Sequence, residues 1–573
     1  MNFAQLSQII NSKIKIKAIY VLIVIMISTI LEIVGISFVL PLIAHLFTGE
    51  YPEKFNFILE LFFNKNLVQN NLILLLATGT LIVYLLKNTF LTYGSIVESQ
   101  FVWSTKKYLS EKIISNYLKL NYDLNLKENS SYIVNILTKE VSYLVHYLMS
   151  LISLISEILI LVSISILMTI FYPKIFTSIF FLAIFFFYLF NLFTKKKISS
   201  FANKRLKVDT MYLKKATEII GGFREISIYD KRDYFIDDFA KNNTEIYKIN
   251  WKLEFLQKIP RFWLEYFIIA FILILLLVFV KLDYNSKDIL IIVSAIVISA
   301  SRLLPSAAKS FRSYQQLKIY KPSIEVIFKE IKKTKYTLVD YHKKIDQKFT
   351  FKNKIVFNNL SFSYNEKKIF QKLNLEIKKN SMIGIYGANG VGKSTLMDIL
   401  FGFLQAKNGN ICVDGQDIKE NILGWQSIIS YIPQKIYLID GSILENIIFN
   451  DIHSNDSKNK NKLENAIIFS GLDQVLQNLP NGIKTVVGEN GSKLSGGQIQ
   501  RIGLARAIYK SPRILVMDES TNGIDFSSSK KIMDTVKKLK TITRIIISHD
   551  IGVLKACEKN FYLTKDEIKE ISL

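Results

Sequence analysis

The residues best suited to chemistry begin at Gly387-Ala388-Asn389-Gly390-Val391-Gly392-Lys393-Ser394, a string of the form G-x-x-x-x-G-K-[ST]. It follows an apolar run, Met382 to Tyr386, and precedes a helix-like stretch, Thr395 to Phe401. A loop of this make-up between strand and helix cradles phosphate. Gly387, Gly390 and Gly392 let backbone N–H groups, that of Asn389 among them, turn inward around phosphate oxygens. Lys393 neutralises the β- and γ-phosphates, Ser394 offers its hydroxyl to Mg²⁺, and the helix opening at Thr395 adds the partial positive charge of its N-terminus. Alone, this string indicates a bound nucleotide and says nothing of its use.

Leu494-Ser495-Gly496-Gly497-Gln498 narrows the class, because it resembles the signature sequence of ATP-binding cassette (ABC) ATPases. The resemblance extends to other strings in the family's order. Tyr431-Ile432-Pro433-Gln434 is similar to the Q-loop, which places Gln434 near Mg²⁺ and the attacking water. Arg513-Ile514-Leu515-Val516-Met517-Asp518-Glu519 resembles Walker B, which implies that Asp518 reaches Mg²⁺ through water and that Glu519 polarises the attacking water. His549, after the apolar strand Arg544 to Ser548, matches the switch histidine at the γ-phosphate, and Tyr364 stands where the family stacks an aromatic ring on adenine. The chain departs from the family at Thr521-Asn522-Gly523-Ile524-Asp525, where Ser-Ala-Leu-Asp is common; Asp525 is kept and the small apolar residues are exchanged.

The elements that carry this cassette occupy one half of the chain. Of 573 residues 50% are hydrophobic and mean hydropathy is +0.25, which is greasy for a soluble protein of this size. Apolar runs of roughly 18 to 25 residues, long enough for a ~30 Å hydrocarbon core, recur before residue 310 and not after it. The net charge of +25 raises nucleic acid as a partner, but no zinc spacing, RNP-like string or basic region with heptads accompanies it. Of 73 basic residues 63 are lysine, which fits an AT-rich coding bias and a face toward anionic lipid headgroups. The two cysteines, Cys412 and Cys557, both lie in the ATPase half and do not form a disulfide framework by their pattern.

Six membrane helices are predicted, centred on Ala18 to Pro41, Leu72 to Tyr93, Leu148 to Phe171, Ile175 to Phe193, Trp263 to Val280 and Ile289 to Leu304. Lysines crowd the N-terminus, the 96 to 146 segment and Lys195-Lys196-Lys197, so both termini and the ATPase are expected in the cytoplasm. The first span lacks a small-residue cleavage site and reads as a retained helix. Segments 96 to 146 and 194 to 262 keep helical apolar spacing although charged, as helices running past the bilayer do, with tips near Asn121 to Asn129 and near Gly221 to Asp233. Between the first two spans, residues 51–70 carry Phe55, Ile58, Leu59, Phe62 and Phe63 at three-and-four spacing, the pattern of an external interfacial helix. The expected organisation is a transmembrane domain over 1–321, a lysine-rich linker over 322–348 and an ABC ATPase domain over 349–573.

Ionisable residues inside spans cost about 2.5 to 3.5 kcal/mol each at the bilayer centre and so face cavities or partners. Lys87 and Arg302 both lie roughly 20 Å from the outer ends of their helices, at ~1.5 Å per residue, and Arg261 opens the fifth helix slightly below them. Three cations at one depth suit a multiply charged anionic headgroup such as a pyrophosphate. The bland alternative pairs Arg261 with Glu265 one turn on, lets Lys87 snorkel and pairs Arg302 elsewhere in the bundle.

The membrane half resembles the lipid-linked oligosaccharide flippases typified by PglK. The resemblance is carried by Glu32-Ile33-Val34-Gly35-Ile36-Ser37-Phe38-Val39-Leu40-Pro41, Ile259-Pro260-Arg261-Phe262-Trp263-Leu264-Glu265 and Ser301-Arg302-Leu303-Leu304-Pro305-Ser306-Ala307. It implies a six-span α-helical domain of the type IV exporter kind followed by an α/β P-loop domain, an external amphipathic helix at 51–70, and basic cavity residues onto which Lys87, Arg261 and Arg302 map, with lysine at 87 where the family has arginine. It further implies flipping of a polyprenyl-pyrophosphate glycan with ATP and Mg²⁺. One phosphate loop and one signature occur in the chain, whereas this family clamps ATP between the loop of one cassette and the signature of the other. A homodimer is therefore expected, pairing Lys393 and Glu519 of one copy with Ser495 and Gly497 of its partner. Competing readings are a lipid or peptide exporter of the same architecture, a non-transporting ABC ATPase on nucleic acid or ribosomes, and an ATP-gated channel.

Overall fold

The computed structural model describes residues 2–48, 65–119, 130–281, 286–335, 349–364, 367–449, 457–520, 526–565 and 567–572. They form two compact units, the first helical and the second mixed. In the first, α1 (Asn2–Ile9) precedes α2 (Ser12–Thr48) and α3 (Lys65–Leu118); α4 (Ser130–Asn135) runs through a π turn, Ile136–Glu140, into α5 (Val141–Phe171). Then follow α6 (Pro173–Gly221), α7 (Phe223–Ile228), α8 (Arg232–Lys281) and α9 (Ser286–Lys335). Each of the six predicted spans falls within a different long helix, and among the described residues five helices hold a stretch long and apolar enough to cross a membrane. The long helices run from 31 to 54 residues, where about 20 suffice for the hydrocarbon core. The surplus forms their polar extensions.

Local signals account for several boundaries. Tyr172-Pro173 separates α5 from α6 with a single non-helical residue, since Pro173 at the first helical position needs no N–H partner and its fixed φ starts the new helix. The expected tip near Gly221 to Asp233 is where α6 stops, α7 makes a short turn of helix and α8 begins, with Asp230 at φ 50°. The other expected tip, Asn121 to Asn129, and residues 51–64 of the expected external helix lie outside the described residues; residues 65–70 open α3. The linker differs from expectation in its first part: up to Lys335 it continues α9, because Ile324 and Ile327 keep helical spacing and are fully buried with Leu109, Ile136 and Leu144. Residues 336–348 lie outside the described set. Leu81, Leu85, Phe181 and Leu277 remain exposed, as side chains facing lipid do.

The second unit holds two sheets. β1 (Lys354–Tyr364), β2 (Lys367–Lys378), β4 (Asn408–Val413) and β5 (Gln416–Asp417) form an antiparallel sheet in the order β2-β1-β4-β5. The other sheet runs β10-β9-β3-β8-β7-β6, from β3 (Met382–Tyr386), β6 (Ile429–Ile432), β7 (Ile514–Asp518), β8 (Thr543–Ile547), β9 (Lys559–Leu563) and β10 (Ile568–Ile571). From β9 to β6 all neighbours are parallel. Thr543–Ile547 is buried throughout, and β3 and β7 are buried except at their last residue, as strands covered on both faces must be. Helices α10 (Lys393–Leu400), α11 (Ile443–Ile448), α12 (Ser457–Phe469), α13 (Leu472–Gln477), α14 (Gly496–Tyr509) and α15 (Phe526–Lys538) are among those that pack with them. Parallel order brings the carboxyl ends of β3, β8, β7 and β6 side by side, which is where ligands of open α/β sheets bind.

Candidate nucleotide site and membrane charge cluster

Four strand ends deliver the cassette residues to one place. The loop after β3 carries Gly387 to Gly392, the end of β8 leads to His549, that of β7 to Asp518 and Glu519, and that of β6 to Gln434. Gly392 sits at φ 109°, and a Cβ there would come within 2.7 Å of Ile369 and Phe370, so only glycine closes this loop. Gly390 at φ 78° has open space beside it, and Asn389 and Ser394 are exposed where the loop meets α10. Thr395 is buried behind them.

Lys393 is buried, and its three ammonium protons each find an acceptor: Gly387 O at 2.9 Å, Ala388 O at 3.4 Å and His549 Nε2 at 2.7 Å. Because an ammonium can only donate, Nε2 accepts, and His549 is the neutral tautomer with its proton on Nδ1. Its 3.4 Å approach to Glu519 Oε1 is thus a polar contact and not an ion pair. Gln434 donates to Glu519 Oε2 at 2.9 Å. Glu519 adopts φ 44°, a left-handed conformation uncommon for a carboxylate residue, and its N–H donates to Ile547 O at 2.9 Å. That bond to β8 holds the strained residue at the strand end.

Asp518 accepts from the Tyr431 hydroxyl at 3.3 Å. Burial, then the neighbouring Glu519, pushes its carboxyl above the ordinary range. Asp398, one turn into α10, is pushed up to about 6 by burial and by Asp518. Burial lowers the Lys393 ammonium, an effect opposed by Glu519 and Asp518. Two carboxyls raised side by side want a cation between them and the loop. Among the described residues no group of three His, Cys, Asp or Glu side chains forms a metal cage. Mg²⁺ takes one or two protein oxygens and fills its octahedron with phosphate oxygens and water, and Ser394 and Asp518 are the residues that would hold it here.

The signature string opens α14 as a capping box: Gln498 N donates to Ser495 Oγ at 3.4 Å, and Ser495 N donates to Gln498 Oε1 at 2.9 Å. Gly496 and Gly497 occupy the first helical positions, leaving backbone N–H groups uncovered by side chains. Ser495 and Gly496 are exposed, and the hydrogen bonds that join Lys393, Gln434, Glu519 and His549 do not include the signature. Tyr364 ends β1, 38% exposed, with its ring 4.9 Å from Phe362 in a T-shaped contact. Asp525 lies outside the described residues.

In the helical unit Lys87 and Arg302 converge, but on a carboxylate. Lys87 Nζ lies 2.8 Å from Glu32 Oε2, and Arg302 Nε lies 3.3 Å from Glu32 Oε1. Lys87 is 1% exposed, so it does not snorkel; the ion pair and the Tyr84 ring at 4.5 Å hold it inside. Gly35, one turn after Glu32, makes room: a Cβ there would meet Tyr84 at 3.3 Å. Arg261 is not part of this group and pairs along α8 with Glu265 at 3.4 Å. Glu32 and Arg302 line a cavity of about 420 Å³ with Glu98, Glu157 and Lys309. Sequence reasoning considered only basic residues within spans and so passed over Glu32. The same criterion, an ionisable residue within the first span, would have found it.

Known proteins match this chain in both units. Residues 18–301 match the ABC transporter transmembrane region and residues 370–522 the ABC transporter family. An export ATP-binding/permease protein of Rickettsia typhi is 34% identical over 219 residues, 37% of each chain. ABC transporter B family member 24, mitochondrial, of Arabidopsis thaliana is 34% identical over 219 residues, 38% of this chain and 32% of its own. The chain thus spans about a third of the length of these curated relatives. A structure of a bacterial Atm1-family ABC exporter with ATP bound superposes with a TM-score of 0.76 over 98% of this chain and 96% of that one, at 18% identity, a likeness of fold. Membrane region and ATPase are matched in that order, so the chain is similar to ABC transporters in both units: a transmembrane helical domain followed by an ABC nucleotide-binding domain.

Proposed function

We propose that this half-transporter works as a homodimer at the bacterial cytoplasmic membrane, with its ATPase domain and termini in the cytoplasm, and uses ATP and Mg²⁺ to flip a polyprenyl-pyrophosphate-linked oligosaccharide. The observation that supports the substrate is the meeting of Lys87 and Arg302, from helices 215 residues apart in sequence (302 − 87), beside one membrane cavity. The flippase-like strings around Glu32, Arg261 and Arg302 point the same way.

When bound, Mg-ATP supplies the phosphoryl group whose transfer to water is harnessed. The residues divide the remaining tasks. Lys393 carries a positive charge held by loop carbonyls and by His549, all weaker partners than phosphate oxygens. Once its donors turn to phosphate, His549 Nε2 is released, and the tautomer with its proton on Nε2 donates to the γ-phosphate. Gln434 fixes the Glu519 carboxylate, which orients and polarises water at the end of β7. Ser394 and Asp518 would hold the metal. Ser495, Gly496, Gly497 and Gln498 close the partner's site with the N-terminal amides of α14, and Asp525 belongs to the communication loop between the two sites.

The deciding experiment is flipping of a fluorescent lipid-linked glycan in proteoliposomes, wild type against Glu519→Gln. ATP-dependent flipping by the wild type alone is expected. Failure of the wild type to move any such lipid removes the glycolipid and leaves an exporter of another cargo. A second reading, a cationic lipid or peptide substrate, is favoured by Glu98, which lines the cavity and has no basic partner within ion-pair distance among the described residues.

A further inference from the structure

The membrane cavity does not suit an anion unless one of its own charges moves. Three carboxylates, Glu32, Glu98 and Glu157, face it against two cations, Arg302 and Lys309. Lys309 is already matched by Glu157 at 2.7 Å. What remains is Glu98 and the bridge from Lys87 through Glu32 to Arg302, and the geometry of that bridge is lopsided. Glu32 spends one oxygen on each cation and its side chain is 7% exposed, so it is fully engaged. The cations are not. Lys87 Nζ, buried behind Glu32, has that one charged contact and no hydrogen bond of good geometry. Arg302 touches Glu32 through Nε, and its side chain is 44% exposed, leaving its terminal amino groups for another acceptor.

We propose that Glu32 is a placeholder for the substrate's phosphate: its carboxylate bridges Lys87 and Arg302 in the resting transmembrane domain, and a lipid-linked pyrophosphate loads by exchanging with it. This rests on the pyrophosphate reading above. A buried lysine cannot wait unpaired in the bilayer, because an uncompensated buried charge costs several kcal/mol. A carboxylate is the smallest anion the chain can supply to hold both cations ready. A pyrophosphate offers more oxygens and more charge, enough to engage the Arg302 fork in a bidentate manner and to reach the donors Lys87 has left over. The three members of the bridge sit on α2, α3 and α9, so exchange also breaks the ion pairs that join α2 to the other two helices.

The test is binding of farnesyl pyrophosphate to the purified full-length chain in detergent, followed by thermal shift, with farnesol as the phosphate-free control. Glu32→Gln keeps the shape and removes the competing charge; its apparent Kd for farnesyl pyrophosphate should fall about tenfold relative to wild type, with no change for farnesol. Glu32→Asp keeps the charge on a shorter arm that cannot span both cations, and should fall between the two. An unchanged or higher Kd in both variants, with wild type binding, overturns the exchange, assigns Glu32 to positioning Arg302, and leaves the pyrophosphate reading standing. Absence of a farnesyl pyrophosphate response in wild type and variants alike overturns both.

Discussion

The nucleotide-binding unit and the membrane unit handle charge in opposite ways. At the carboxyl ends of β3, β6, β7 and β8, Lys393 and Glu519 sit at the edge of a packed sheet, held by backbone carbonyls, a ring nitrogen and an amide that a ligand can replace. Between α2, α3 and α9, Lys87 and Glu32 are buried against each other, so each is the condition for the other's presence. The first arrangement is chemistry supported by a rigid frame, and the second is part of the frame. Charge removal should therefore cost activity in one unit and stability in the other.

The sharpest test is Glu519→Gln. It preserves size and the hydrogen bond to Gln434 but cannot polarise water, so phosphate release should fall by about 10³-fold while ATP binding and melting temperature stay near wild type. A variant that still hydrolyses at half the rate or more breaks the assignment of Glu519. Next, Lys87→Met leaves the buried Glu32 without its lysine and should destabilise the helical unit by about 3 kcal/mol, read by SDS-titrated unfolding in micelles. The paired variant Lys87→Met with Glu32→Gln should recover most of that loss; if the single variant matches wild type, the contrast between the units fails.

Lys393→Ala should lower nucleotide affinity by about 10- to 100-fold, the loss of a charge-assisted set of hydrogen bonds, measured by titration with a fluorescent ATP analogue. Stability should fall by only about 1 kcal/mol, since Ala388 is exposed and the buried Gly387 carbonyl alone is left without its donor.

The smallest effect concerns pH. Asp398 is raised to about 6 in the folded chain, so the folded state holds a proton that the unfolded state releases from about pH 4 upward. Its stabilising effect is complete below pH 4 and is lost as pH rises through 6. Asp398→Asn, which stays neutral, should therefore raise nucleotide-free stability by about 1 kcal/mol at pH 7.5, after discounting for solvent screening, and leave it unchanged near pH 4. Equal shifts at both pH values would show that packing and not ionisation governs the site.

Legibility followed how contacts are made. Lys393 and its glycines are neighbours in sequence, and the loop that holds phosphate is the loop that is spelled out. The six long helices and the Tyr172-Pro173 turn were legible for a similar reason: length, apolarity and a proline act locally. The tyrosine on Asp518 was only partly visible, since Tyr431 was quoted as a neighbour of Gln434 while its reach to β7 depends on β6 pairing with β7. Asp398 carried no motif at all; only the approach of α10 to β7 made it a perturbed group.

The sequence by itself determined the division into a membrane unit and a cassette and the residues that meet nucleotide, because short-range strings specify turns, strand ends and helix starts. Only the tertiary structure decided where the membrane charges go. Glu32 is 55 residues from Lys87 (87 − 32) and 270 from Arg302 (302 − 32), and nothing in chain order says that one carboxylate serves both. In a medium without water, a buried ion takes its partner from whichever helix packs beside it, and packing is a property of the whole bundle.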